Sequence, residues 1–144
     1  MILYLDTSSL VKLYVSEASS AEVHGLADQA ELVATSVLAY PEARSAFARL
    51  GREGLVTEPE TTRLKEELDT DWPHYLAVDM TEAIWRQAGD LAERHALRAL
   101  DSLHLASFLA LSDADLGASV RFSSFDERLY AAARRELTSL ADEE

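Results

Sequence analysis

Ile2-Leu3-Tyr4-Leu5-Asp6-Thr7-Ser8-Ser9 opens the chain, and its reading decides the fold. The apolar run over 2–5 has the length and the bounds of a buried strand rather than of a helix. Asp6 ends it. The Thr7-Ser8-Ser9 cluster then supplies helix-start chemistry for a helix through Val15. An acid placed where a strand passes into a helix lies at the carboxyl edge of a sheet, which is where open α/β folds bind ligands.

The same alternation continues outward from that stretch. A short helix is expected over 20–27, a strand over 31–35, and a longer helix to about Arg52 that stops at Gly51 and Gly54. The core stripe of this longer helix is Ala39, Ala43, Ala46, Phe47 and Leu50, which leaves Glu42 at the stripe's edge. Pro59, just after Thr57, opens another helix carrying Leu64, Leu68 and Trp72 on one side, and Pro73 closes it. A third strand is expected over 75–78. Thr81 caps a helix with Ile84, Ala88, Leu91 and Ala92 at helical spacing. A buried helix follows over 99–111, then a strand over 119–125 and a helix over 126–135. Residues 137–140 read as a short edge strand, and the acidic end over 142–144 as frayed. Strands alternating with helices favour a parallel sheet covered on both faces. The expected fold is therefore a three-layer α/β/α domain with four or five mainly parallel strands, occupying 1–144 as one unit without repeats or linkers.

Composition bounds the chemistry. At 144 residues and 48% hydrophobic, the chain can bury one substantial core. It has no cysteine, which excludes disulfides, thiolate metal sites and cysteine nucleophiles and agrees with a reducing cytoplasm. No apolar run approaches the roughly 20 residues that span a bilayer, and no basic segment precedes an apolar one as in a signal peptide. The net charge of −13 repels polyanions at long range and attracts basic protein partners. Any RNA would have to be held by local arginines and bound cations.

Four acids stand out: Asp6, Glu42, Asp101 and Asp126. Asp101 lies in the all-round apolar stretch, where an ionised carboxylate costs several kcal/mol unless it is compensated. Asp126 ends the strand-like run Arg121-Phe122-Ser123-Ser124-Phe125 as Asp6 ends the first. Each has an ordinary reading too. Asp6 and Asp126 suit helix caps, Glu42 a solvated helix face, and Asp101 the positive end of its helix. Together they suggest a hard divalent cation.

Other site chemistries fail on specifics. Position 8 is Ser where a haloacid-dehalogenase-type phosphatase needs a second Asp. No glycine-rich phosphate loop or dinucleotide fingerprint follows the first strand. The four histidines, His24, His74, His95 and His104, lack paired spacing for zinc. His104, one turn beyond Asp101, reads as helix packing, although it has the reach to point at the same site. Of the two lysines, neither Lys12 nor Lys65 is placed to complete a receiver-type acidic site.

With these motifs in order, the chain resembles PIN-domain ribonucleases, and more narrowly the VapC-type toxins of toxin–antitoxin pairs. The resemblance runs over essentially the whole length. It is carried by Leu5-Asp6-Thr7-Ser8-Ser9-Leu10-Val11-Lys12-Leu13-Tyr14, by Ser36-Val37-Leu38-Ala39-Tyr40-Pro41-Glu42, by Leu100-Asp101-Ser102-Leu103-His104-Leu105-Ala106, and by Phe122-Ser123-Ser124-Phe125-Asp126-Glu127-Arg128-Leu129. Two positions depart from the family's pattern. Pro41 interrupts what is usually a continuous helix, and Ser124 stands where threonine is common.

The resemblance implies hydrolysis of RNA phosphodiester bonds with Mg²⁺, or Mn²⁺ in its place, leaving 5′-phosphate and 3′-hydroxyl ends. Asp6 and Asp101 would anchor the ion, with Glu42 as a third carboxylate and Asp126 holding a second ion or its waters. Thr7, Ser8 and Ser124 are the accompanying hydroxyls, of which Ser8 and Ser124 would support the ligands or contact phosphate. It also implies a homodimer, with Tyr14, Leu55, Leu64 and Leu68 as contributors, and an antitoxin whose basic C-terminal segment enters the acidic site. Two alternatives stay open at this point: a PIN-fold interaction module with a degenerate site, and a DNA-directed metal-dependent nuclease.

Overall fold

The strand order β3-β2-β1-β4 fixes where a site can form. The computed structural model describes residues 1–114 and 116–143. Its elements are β1 (Ile2–Leu5), α1 (Thr7–Val11), α2 (Ser20–Gln29), β2 (Leu32–Ser36), α3 (Ala39–Arg52), α4 (Glu58–Asp71), β3 (Leu76–Val78), α5 (Glu82–His95), α6 (Ala99–Asp113), β4 (Val120–Ser123) and α7 (Glu127–Glu143). All three strand pairings are parallel, with Leu3 opposite Val33 on one side and Arg121 on the other.

Parallel crossovers are right-handed, so the direction of travel along the sheet selects the face that the connecting helices cover. The chain steps from β1 to β2 to β3 in one direction and lays α1–α4 on one face. It then returns past β1 to β4, and α5 and α6 fall on the opposite face. Strand β1 lies under both layers. Its Leu3 and Leu5 pack with Leu10, Val23, Ala43, Phe47, Leu64 and Leu68. Its Ile2 and Tyr4 pack with Leu91, Leu105, Phe108, Phe122 and Leu129. All four residues of β1 are at most 5% exposed, which accounts for a continuous apolar run instead of alternation. The reversal of strand order between β1 and β4 leaves a crevice at their carboxyl ends.

Local signals place the helices. Thr57 and Thr81 cap α4 and α5 by accepting from the amides of Glu60 and Ile84. Helix α3 runs through Gly51 to Arg52, and just beyond it Gly54, with a φ of +73°, turns the chain so that Gly54 N–H reaches Gly51 O and Leu55 N–H reaches Leu50 O. Pro41 does not interrupt α3. It lies in the first turn, where a helix has no intrahelical partner for its amide.

Three expectations are corrected. The segment 137–140 is part of α7 and not an edge strand, since Leu137 and Leu140 stand three apart at helical spacing. The helix also takes in Asp142, which was expected to fray; Glu144 lies outside the described residues. Leu64 and Leu68 are 3% and 0% exposed in the core under α4, so neither is available to a partner surface. Tyr14 is partly buried and bonded to Asp71 and Tyr75, whereas Leu55 is exposed. Among the described residues no helix is long and apolar enough to cross a membrane.

Candidate active site

A cleft of about 850 Å³ opens at the carboxyl ends of β1 and β4, and Asp6, Glu42, Asp101 and Asp126 all line it. They arrive from four separate segments: the end of β1, the first turn of α3, the first turn of α6, and the residue before α7.

Asp6 is the most buried of them, at 3% exposure. It caps α1, and its Oδ1 accepts from the Ser9 amide at 3.0 Å and from Ser8 Oγ at 2.7 Å. Its Oδ2 accepts from Ser124 Oγ at 2.6 Å. Burial raises the Asp6 pKa, and the hydrogen bonds from Ser124, Ser8 and Ser9 offset that only in part. The capping reading is correct, and the same carboxylate also faces the cleft.

Serine side chains stitch β1 to β4 around this group. Ser8 Oγ accepts from the Phe125 amide at 3.0 Å, and Ser9 Oγ lies 2.9 Å from Ser123 Oγ. Ser124 Oγ also accepts from the Asp126 amide at 3.1 Å, while Asp126 Oδ1 caps α7 through the Leu129 amide. Asp6 and Asp126 are thus linked through one hydroxyl.

Glu42 is held from the opposite wall. Its Oε1 accepts from Thr7 Oγ1 at 2.8 Å and lies 2.9 Å from His104 Nε2. Burial pushes this carboxyl up, but the hydrogen bond and field of the His104 ring, with Thr7, outweigh it and leave its pKa lowered. His104 is therefore part of the site and not only of the helix packing expected for it. It is 2% exposed, and the buried hydroxyl of Tyr4 lies 2.9 Å from its Nδ1.

Asp101 departs from expectation in its burial. The apolar belt of α6 lies deeper, at His104 to Leu109, and Asp101 stands in the first turn with its side chain 20% exposed. Its compensating cation is Arg98, which the sequence reading did not single out. Arg98 Nε is 3.1 Å from Asp101 Oδ2 and its Nη2 is 3.4 Å from Asp126 Oδ2. A basic residue three positions before a buried-looking acid is the signal that would have found it. Lys12 also lines the cleft, bonded to Glu17 and to the Ala18 carbonyl, with its Nζ 4.7 Å from the Phe125 ring centroid.

The carboxylates and hydroxyls are hard oxygen donors, as Mg²⁺ and Mn²⁺ require. Among the described residues no three His, Asp or Glu side chains converge tightly enough to cage an ion between them. The set fits an ion that keeps several waters and takes one or two carboxylates directly, the usual habit of Mg²⁺. A buried carboxylate with a raised pKa and hydroxyls as its hydrogen-bond donors is a group that such a cation would stabilise.

The PIN domain family model matches residues 3–135. Ribonuclease VapC45 of Mycobacterium tuberculosis is 36% identical over 132 residues, covering 92% of this chain and 89% of that protein. Among solved structures, FitAcB from Neisseria gonorrhoeae superposes with a TM-score of 0.64 at 22% identity, covering 93% and 94% of the two chains. VapBC2 from Rickettsia felis, bound to a DNA fragment from its promoter, gives 0.57 at 14% identity, covering 86% and 100%. The two structures bear on the fold alone, and the fold agrees. The motifs, the matched length and the identity to VapC ribonucleases together show that this chain belongs to the PIN-domain family, in its VapC branch.

Proposed function

We propose that this chain is a single PIN domain acting as a divalent-metal-dependent endoribonuclease, the toxin of a type II toxin–antitoxin pair working in the cytoplasm. The observation that carries the reading is the convergence of Asp6, Glu42, Asp101 and Asp126 on one cleft at the sheet's switch point. Its relatives named VapC are ribonucleases by name. Ribonucleases of this family generally depend on a divalent metal.

Asp6 and Asp101 would hold the Mg²⁺ or Mn²⁺, with Glu42 and Asp126 binding its waters or a second ion. Bound there, such an ion acidifies a coordinated water and offsets charge developing on the phosphoryl oxygens. The protein's own part is preorganisation. Ser8, Ser9 and Ser124 keep the Asp6 oxygens fixed before any ligand arrives. Thr7 does the same for Glu42. Arg98 and Lys12 place positive charge at the rim of an otherwise acidic cleft, where a phosphate chain must enter.

A chain of net charge −13 with this cleft suits a basic partner segment, and the partner proposed is an antitoxin that inserts an Arg or Lys among the acids. The assembly proposed is a homodimer, with Leu55 the most exposed of the apolar candidates at 68%. The activity is tested by incubating single-stranded RNA and DNA with the protein and Mn²⁺ and analysing product ends. RNA cut to 5′-phosphate and 3′-hydroxyl fragments, with DNA intact, is expected. Cleavage of DNA in preference to RNA, or 2′,3′-cyclic phosphate ends, would overturn the reading.

A further inference from the structure

A buried histidine beside an acidic cleft needs an explanation beyond packing, because both of its ring nitrogens lie within hydrogen-bond distance of polar side chains. His104 Nε2 lies 2.9 Å from Glu42 Oε1 and 3.1 Å from Thr7 Oγ1. On the other side of the ring, the Tyr4 hydroxyl lies 2.9 Å from Nδ1. Thr7 donates to the same Glu42 oxygen. Two side chains therefore grip Oε1, and among the described residues no hydrogen bond reaches Oε2.

Tyr4 and His104 are themselves buried. Tyr4 is fully buried, stacked 5.8 Å from Phe122, and its ring meets the His104 ring edge-on at 6.0 Å. The chain Tyr4–His104–Glu42 thus runs from the middle of the sheet, through α6, to the cleft. We propose that His104 is a positioning residue: held at Nδ1 by Tyr4, it fixes Oε1 of Glu42 and leaves Oε2 as the oxygen presented to a cation or its waters. This rests on the ribonuclease reading only for the activity arm of its test. Supporting partners of this kind typically change metal affinity or activity by roughly 10- to 100-fold.

The test compares His104→Gln, His104→Asn and Tyr4→Phe with wild type by Mn²⁺ calorimetry and by RNA cleavage, after circular dichroism has confirmed folding. Glutamine can place an N–H where Nε2 stands and asparagine cannot. His104→Gln should stay close to wild type in Mn²⁺ affinity and kcat, while His104→Asn falls by roughly 10- to 100-fold. Tyr4→Phe removes only the O–H and releases the ring at Nδ1, so a several-fold loss of Mn²⁺ affinity is expected without loss of the fold. Equal behaviour of the Gln and Asn variants, with losses that follow Tm, would reduce His104 to a packing residue. If both His104 variants unfold, Tyr4→Phe decides alone, and a wild-type Mn²⁺ affinity for it overturns the proposal. Absence of RNA cleavage by the wild type would sink the ribonuclease reading and leave the Mn²⁺ ordering as the separate test of this one.

Discussion

Ser124 Oγ donates a 2.6 Å hydrogen bond to Oδ2 of Asp6, across the seam where β4 meets β1 and 118 residues away in sequence. A single hydroxyl thereby ties the first of the four cleft acids to the segment that carries the fourth, Asp126. The raised pKa of Asp6 makes this bond consequential, because burial opposes the charge that the bond supports.

Ser124→Ala should accordingly push the Asp6 pKa further up. The acid limb of the pH–rate profile would move to higher pH, and Mn²⁺ affinity at neutral pH would fall. Loss of a hydrogen bond to a buried charged group costs about 1–3 kcal/mol, so a drop of roughly tenfold or more in affinity is expected. Ser124→Thr, which keeps the hydroxyl, should behave as wild type. A pH–rate profile for the three proteins checks this.

Asp6 also gives a signed prediction for stability. Its folded pKa lies above the ordinary aspartate value, so the folded state binds more protons than the unfolded one between the two values. Stability from this group falls as pH rises through that window, and at neutral pH the metal-free carboxylate is a net cost. Glu42 has the opposite sign: its lowered pKa contributes stability above its unfolded value that is lost as pH falls. Asp6→Asn, which retains a capping side chain, should therefore raise the Tm of the metal-free protein at pH 7. It should also lose most of the Tm gain that Mg²⁺ or Mn²⁺ gives the wild type. Thermal melts with and without metal measure both.

Arg98 sits where it meets both Asp101 and Asp126 while its own side chain is 80% exposed. It competes with a divalent cation for those two oxygens. Arg98→Ala should bind Mn²⁺ more tightly at low ionic strength, with little change in Tm, and the advantage should shrink with added salt. Calorimetry at two salt concentrations checks it.

The acidic cleft should also govern partner binding. Association of a basic antitoxin segment should slow with added salt. The Asp6→Asn/Asp101→Asn double variant should lose affinity through the cleft while keeping contacts made elsewhere. Surface plasmon resonance at two salt concentrations measures this, and equal affinities of wild type and double variant would show that inhibition bypasses these carboxylates.

The sequence made the acids legible because each breaks a local rule: Asp6 and Asp126 end apolar runs, and Asp101 interrupts one. It also made the β/α alternation legible, since the residues of β1 and α6 are apolar on every side where both are covered. The missed features are tertiary. His104 looks like any polar residue on a buried helix until β1 brings Tyr4 beneath it, 100 residues away in sequence. Leu64 and Leu68 form a stripe that a core and an interface would share, and only the packing of α4 on β1 decides between them. Residues 137–140 were open to a strand reading because two leucines are too few to fix a period, yet the helix of Leu129, Ala132 and Ala133 carries through them.

The central claim is that these four carboxylates form one metal-dependent ribonuclease site. Its most direct measurement is the rate of RNA cleavage by purified wild type in EDTA and after restoring Mg²⁺ or Mn²⁺, alongside folded Asp6→Asn and Asp101→Asn under the same conditions. The predicted result is cleavage by the wild type only when metal is present, and none by either variant at any metal concentration. Undiminished cleavage in EDTA, or wild-type rates for both variants with contaminating nuclease excluded, would contradict it.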